Sequence, residues 1–490
     1  MRSILALSVL TAALVGCSSS DEPDPQPGRD GSMPPPLDSG TLDSSVGDAG
    51  RPDGGKPGTD AGNPLADGGT WAATTILTRA STNTHTCSVQ KDLLNYKPLT
   101  WSYTGHDLVT SQSASWLTRV EAEASANGPF MPGPSTFVVS QVDAMGKLGS
   151  SIEVPDVDPS LVIRPQLLPL ENGALALIWQ QSKANPGSPD SDQQMLRFAT
   201  FDASGKVVKS PLTLLTEKAD NIYWLRVARA RDGQLAVMYS ASLRGSQTTS
   251  TKLATFDAAG QMSSAPRLLA SSVADAALVA HDDGFAYLYQ TLDYQADHSE
   301  IVLGRVDPSG AQRGTSRTLQ SGFAAGNSFF AAAAVALLPV SGGFVVAWPE
   351  GSRGNDDFAA PKDGYSVLRV SRLDDTGAVV TSALLRDKVD SIDEAEPVLK
   401  AVGDSVALLW GRATHIYICG GCVPNHSMEV VLLDPQTLTP QSNVAKVTAA
   451  QGGLLNKRVA VLGDTLLTAL GVTFHVHSEP AFAAFRCATK

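Results

Sequence analysis

Most of this chain is one pattern written several times, and that repetition limits the folds open to it. A hydrophobic residue, an aspartate, two residues and a glycine recur at Val142-Asp143 to Gly146, Phe201-Asp202 to Gly205, Phe256-Asp257 to Gly260, Val306-Asp307 to Gly310 and Leu373-Asp374 to Gly377. A sixth copy at Leu433-Asp434 lacks the glycine. Between copies stands a second marker, a turn and then an apolar run ending in an aromatic: Gly173 to Trp179, Gly233 to Tyr239, Gly284 to Tyr289, Gly343 to Trp348 and Asp404 to Trp410. Weaker copies follow His106 and Gly463, which makes seven units. A stretch this long is too large for one ordinary core unless repeated units bury their faces against one another. Each unit reads as four short strands, such as YWLRVARA, QLAVMYSA, TKLATFD and APRLLA between Tyr223 and Ala270. Short β-rich runs with regular turn signals and no helical periodicity mean all-β. Seven four-stranded units predict a β-propeller over residues 71–490, with a long β-solenoid as the competing architecture.

The last unit supplies strands near 454–461, 465–473 and 481–488 and then ends one strand short. Trp71-AATTILTRA is similar to fourth strands elsewhere, such as SPLTLLTE from Ser210, so residues 72–79 are predicted to complete the seventh blade as an N-terminal latch. Such a latch removes an open sheet edge. The first and third connections of a blade share one face of the disc. Here those are the tight turns, so the opposite face collects the long connections at 181–193, 241–251, 350–364 and 413–427. Long loops on a rigid scaffold are where binding residues concentrate.

Two repeated features have structural readings. Asp143, Asp202, Asp257, Asp307 and Asp374 invite a calcium reading, but each stands alone in a turn where hydrogen bonds to nearby backbone suffice. Trp179, Tyr239, Tyr289, Trp348 and Trp410 could form a sugar-stacking ring, but their common strand position points to packing between blades.

The N-terminus concerns location. Arg2, an apolar run from Ile4 to Val15 and then Gly16-Cys17 follow the order of a secretory signal over residues 1–17, and the run is too short for a transmembrane helix. Residues 18–70 are rich in Pro, Gly, Asp and Ser and read as a disordered tether, reaching about 40 Å on average. Ten acids against three bases lie there, so much of the net charge of −12 belongs to the tether. The remainder is mildly acidic, which argues against a nucleic-acid partner.

Leu14-Val15-Gly16-Cys17 resembles the lipobox of bacterial lipoproteins, which implies lipidation of Cys17, cleavage before it and a membrane partner through the lipid anchor. Ser18 in the next position resembles an outer-membrane address. GGFVVAW from Gly342, followed by YSVLRVSRLDDTGAVV from Tyr365, is similar to the "DGGFVVVW … RFDxxG" repeats of secreted bacterial β-propeller proteins. The tether resembles those of myxobacterial surface lipoproteins. These resemblances imply fold and export and carry no catalytic residues.

One cluster has metal chemistry. His415, Cys419, Cys422 and His426 have the ligand types and roughly the spacing for tetrahedral zinc. His475 and His477 would lie nearby, because His415 and His475 are each eleven residues past equivalent aspartates, Asp404 and Asp464. The competing reading is stronger for an exported chain: four cysteines besides Cys17 pair as Cys419 with Cys422 and Cys87 with Cys487. The blade alignment places Cys87 towards the long-loop side and Cys487 towards the other, which weakens the second pair. No Gly-x-Ser-x-Gly, HExxH, P-loop or EF-hand pattern occurs. The sequence therefore favours a non-enzymatic module binding a protein or glycan, without a required cofactor. An extracellular hydrolase or lyase with a channel-mouth site and a metal-binding protein are the alternatives.

Overall fold

Within each repeat, apolar runs separated by tight turns fold as an antiparallel meander of four strands. The computed structural model describes residues 75–77, 83–92, 105–124, 132–183, 193–219, 221–242, 246, 248–282, 284–293, 298–323, 334–352, 365–385, 392–414, 427–448, 454–472 and 481–490. Blades one to six occupy 106–153, 162–218, 221–271, 273–323, 336–384 and 392–448. Blade seven joins Leu454–Leu462, Thr465–Val472 and Ala481–Thr489 to His85–Lys91. The innermost strands are His106–Ser111, Val162–Pro169, Asn221–Arg229, Val273–His281, Ala336–Val340, Ile392–Val402 and Leu454–Leu462. Each touches the next, and the seventh touches the first. The fold is a seven-bladed β-propeller.

The core is distributed as seven apolar clusters, one between each pair of adjacent blades. The repeated aromatic fills this seam: Trp179 between blades one and two, Tyr239 between two and three, Tyr289 between three and four, Trp348 between four and five, and Trp410 between five and six. All five are buried, and their role is packing.

The Asp-x-x-Gly turns close the third and fourth strands of blades one to five. Asp202 Oδ1 accepts from the amides of Ser204 (2.9 Å) and Lys206 (3.0 Å) and from Ser204 Oγ (2.6 Å). Asp374 does the same with Thr376 and Ala378. The hydroxyl is the main reason the carboxyls of Asp202, Asp307 and Asp374 lie below their ordinary range. The glycine serves twice. At Gly205 φ is +86°, which L side chains rarely adopt, and a Cβ there would stand 2.1 Å from Ile152 Cδ1 of the preceding blade. In the sixth copy Leu438 takes the left-handed conformation (φ 60°), and the turn is one residue longer, with the Leu438 amide donating to the Asp434 carbonyl.

An N-terminal strand does close the ring, but it is His85–Lys91 and not residues 72–79. Thr75–Ile76 instead pairs in parallel with the outer strand of blade five, with Leu77 packed on the seam between blades five and six. The His85 amide then donates to the Gln441 carbonyl of blade six (3.0 Å), and Asn443 exchanges two hydrogen bonds with the Cys87 backbone. The segment thus grips three consecutive blades. The outermost strand of a blade faces water, so polar HTCSVQK suits it, with only Cys87 buried. The more apolar 72–79 stretch places Leu77 against a seam instead.

Candidate functional site

The innermost strands begin at the long-loop end: Val162 pairs with Gln181, Asn221 with Ser242 and Ile392 with Thr414, each just ahead of a long connection. Near that end five of the seven strands carry a bulge, between Ile163 and Gln166, Ile222 and Trp224, Val273 and Asp275, Ala395 and Val398, and Leu455 and Arg458. A bulge breaks alternation and re-aims side chains, and bulges concentrate beside functional sites. Arg164 and Glu396 occupy equivalent bulges, each in a left-handed conformation (φ 53° and 49°) and each followed by proline.

These strands place charge around the channel. Asp107 Oδ2 accepts from the Leu167 amide of blade two (2.7 Å), while Oδ1 lies 3.3 Å from Arg458 Nε of blade seven. Asp275 repeats the device between blades three and five: it pairs with Arg226, and its Oδ2 accepts from the Val335 amide (3.1 Å). Arg164 Nε donates to the Tyr223 carbonyl of blade three (2.8 Å), and Lys457 pairs with Glu396 of blade six at 2.7 Å. Between blades five and six, Ser366 Oγ donates to the Glu394 carbonyl (2.8 Å). Every junction between blades is therefore bridged by polar groups of the inner strands or their neighbours.

The groups sense one another across the channel. Arg458 loses proton affinity through burial and through Arg226, against the opposing pull of Asp107, Asp275 and Glu396. Burial lowers Lys400, with Arg458 adding to the effect and Asp107 opposing it. Burial also brings Arg164 down to about 10, helped by Arg226. Burial raises the Asp107 carboxyl against the pull of Arg458. His106, beside it on the strand, is pushed down to about 4 by burial and by Arg458, so it is neutral at pH 7. Its Nε2 has no hydrogen-bond partner among the described residues.

Of the residues singled out by sequence, Cys87 and Cys487 are joined in a disulfide as direct cross-strand partners. Their expected placement at opposite faces is corrected: with His85–Lys91 as the closing strand, Cys87 lies at the tight-turn end, where Ala481–Thr489 finishes. Cys17, His415, Cys419, Cys422, His426, His475 and His477 lie outside the described residues. Among the described residues no group of three His, Cys, Asp or Glu side chains is placed to hold a metal. The channel charges were missed by sequence, although a signal existed: each unit's first strand should be largely apolar, yet VIRPQLLP, NIYWLRVAR and LLNKRVAVL carry internal cations.

No protein-family model and no curated protein sequence matches the chain. Solved structures do resemble it. A protein of unknown function from Dyadobacter fermentans DSM 18053 is 11% identical with a TM-score of 0.42, covering 82% of this chain and 99% of that one. The Trypanosoma rangeli sialidase is 10% identical with a TM-score of 0.43, covering 84% and 58%. The polysaccharide lyase Uly1 is 8% identical with a TM-score of 0.45, covering 84% and 98%. Likenesses this remote transfer no activity.

Proposed function

We propose that this chain is an exported propeller, held to a membrane by a lipid on Cys17, that binds a ligand at its long-loop face without chemically altering it. The observation supporting the binding half is the position of the bulged, charged inner strands, which open on the same face as the long connections. The opposite face is occupied by turns whose polar groups satisfy each other, as at Asp202 and Asp374. The ligand is a protein or a glycan. Replacing 183–193 and 241–251 by short Gly-Ser connections is expected to abolish capture of surface polysaccharide or protein while the protein stays folded; capture that survives every such replacement refutes the reading. Location is tested by radiolabelled palmitate, which wild type incorporates and Cys17→Ala does not.

A second reading, an extracellular hydrolase or lyase, draws support from the convergence of Asp107, Asp275 and Glu396 at the channel, with His106 adjacent. Binding is favoured because each of these carboxylates is already engaged by a cation, and Asp107 and Asp275 also by a backbone amide. Polysaccharide cleavage lost in a folded Asp107→Asn variant would replace the binding reading.

A further inference from the structure

Lys400 is the group that the fold leaves unexplained. It lies on the innermost strand of blade six, paired with Ala407 two residues from the tight-turn end, one step deeper than Arg458 and Asp107. It is half-buried and makes no hydrogen bond or ion pair with any described residue, although Asp107 and Arg458 are near enough for their charges to act on it. A desolvated ammonium without a partner costs stability, so packing gives no reason for it.

Its surroundings are cationic. Arg164, Arg226, Lys400, Lys457 and Arg458 stand on inner strands that carry four carboxylates among the described side chains, Asp107, Asp275, Glu394 and Glu396, of which Glu394 is buried and accepts from the Leu368 amide of blade five. The chain as a whole carries −12. A low-dielectric channel concentrates the field of such a surplus and draws in anions. Arg458 keeps most of its guanidinium available: among the described residues it makes the Nε contact to Asp107 and donates one long hydrogen bond to the Lys457 carbonyl, and the side chain is 31% exposed. Above this, on the bulge of blade three, Tyr223 is 49% exposed at the long-loop end, its hydroxyl accepting from Ser242. Guanidinium groups match carboxylates in planar geometry, and an exposed phenol ring offers a flat apolar face to a sugar ring.

We infer that the channel binds an acidic saccharide entering from the long-loop face, with a carboxylate received inside it by Lys400 and Arg458 and a sugar ring lying on Tyr223 at the mouth. This deepens the proposed function and rests on the long-loop face being the ligand face. The probes are trigalacturonate, neutral maltotriose and inorganic sulfate, titrated calorimetrically into the full chain. Trigalacturonate is expected to bind, and Lys400→Met to weaken it about tenfold or more, the worth of one charge-assisted contact. Because that variant removes an unpaired cation, its melting temperature should equal or exceed that of wild type, which separates lost binding from lost folding. Tyr223→Ala should weaken trigalacturonate and leave sulfate unchanged. Equal binding of maltotriose, sulfate binding without trigalacturonate binding, or trigalacturonate affinity indifferent to Lys400→Met would each overturn the inference. Capture of another ligand through the long loops, unaffected by Lys400→Met, overturns this site alone; capture that ignores both changes overturns the long-loop reading as well.

Discussion

Removing the Cys87–Cys487 bond should cost far more than cutting a local crosslink, because its two cysteines are 400 residues apart in sequence. In the chain-entropy model, closing a loop that long takes about 6 kcal/mol of freedom from the unfolded chain, while native disulfides generally deliver about 2 to 5. Both sulfurs are also buried, so Cys87→Ala with Cys487→Ala leaves a small cavity as well. Reduction in a Cys419→Ala/Cys422→Ala background keeps both sulfurs at the closure and breaks only this bond. Urea unfolding followed by the fluorescence of the buried Trp179, Trp348 and Trp410 reads the loss. With an m-value near 3 kcal/mol/M, roughly the upper end for small proteins, the midpoint should fall by about 1 to 2 M. A reduced protein with an unchanged midpoint refutes the reasoning: the seven seams and the pairing of Thr75–Ile76 and His85–Lys91 would then hold the ring without covalent help.

Further outcomes follow from the same geometry. His106 titrates at about 4 when folded against 6.5 when free, so between these values the unfolded chain binds more protons and stability falls as pH drops from 6.5 to 4. Unfolding midpoints at pH 7.5 and 5 should therefore diverge more for wild type than for His106→Gln, by on the order of 2 kcal/mol. Gly205→Ala meets both a forbidden φ and Ile152, whereas Gly463→Ala (φ 61°) meets open space. The first should cost about 3 kcal/mol and the second about 1 by thermal unfolding. Trp348→Leu empties part of the seam between blades four and five and leaves Gln320 without its 2.8 Å indole partner, for an expected loss of about 2 to 4 kcal/mol. Intact-mass analysis should find Cys419 bonded to Cys422 in the purified protein; free thiols carrying zinc would restore the metal reading of that cluster.

The repeat count, the Asp-x-x-Gly turns and the seam aromatics were legible in sequence because each is enforced locally. An aspartate four residues or fewer from the amides it accepts and a glycine at positive φ are dictated within one turn, and an aromatic at a fixed strand position recurs because every unit meets a copy of itself across the same seam. The closing strand was not legible: 72–79 looks more strand-like than His85–Lys91, and the partner that chooses between them lies some 400 residues away. Nor were the channel charges. Arg226 and Asp275 stand on different blades, as do Arg458 and Asp107, and only ring closure brings them together. Sequence by itself determined the unit and how often it is copied, since those are short-range consequences of turns and alternation. Tertiary structure decided which N-terminal segment seals the ring and what faces its centre, because both depend on contacts that exist only once all seven blades are in place.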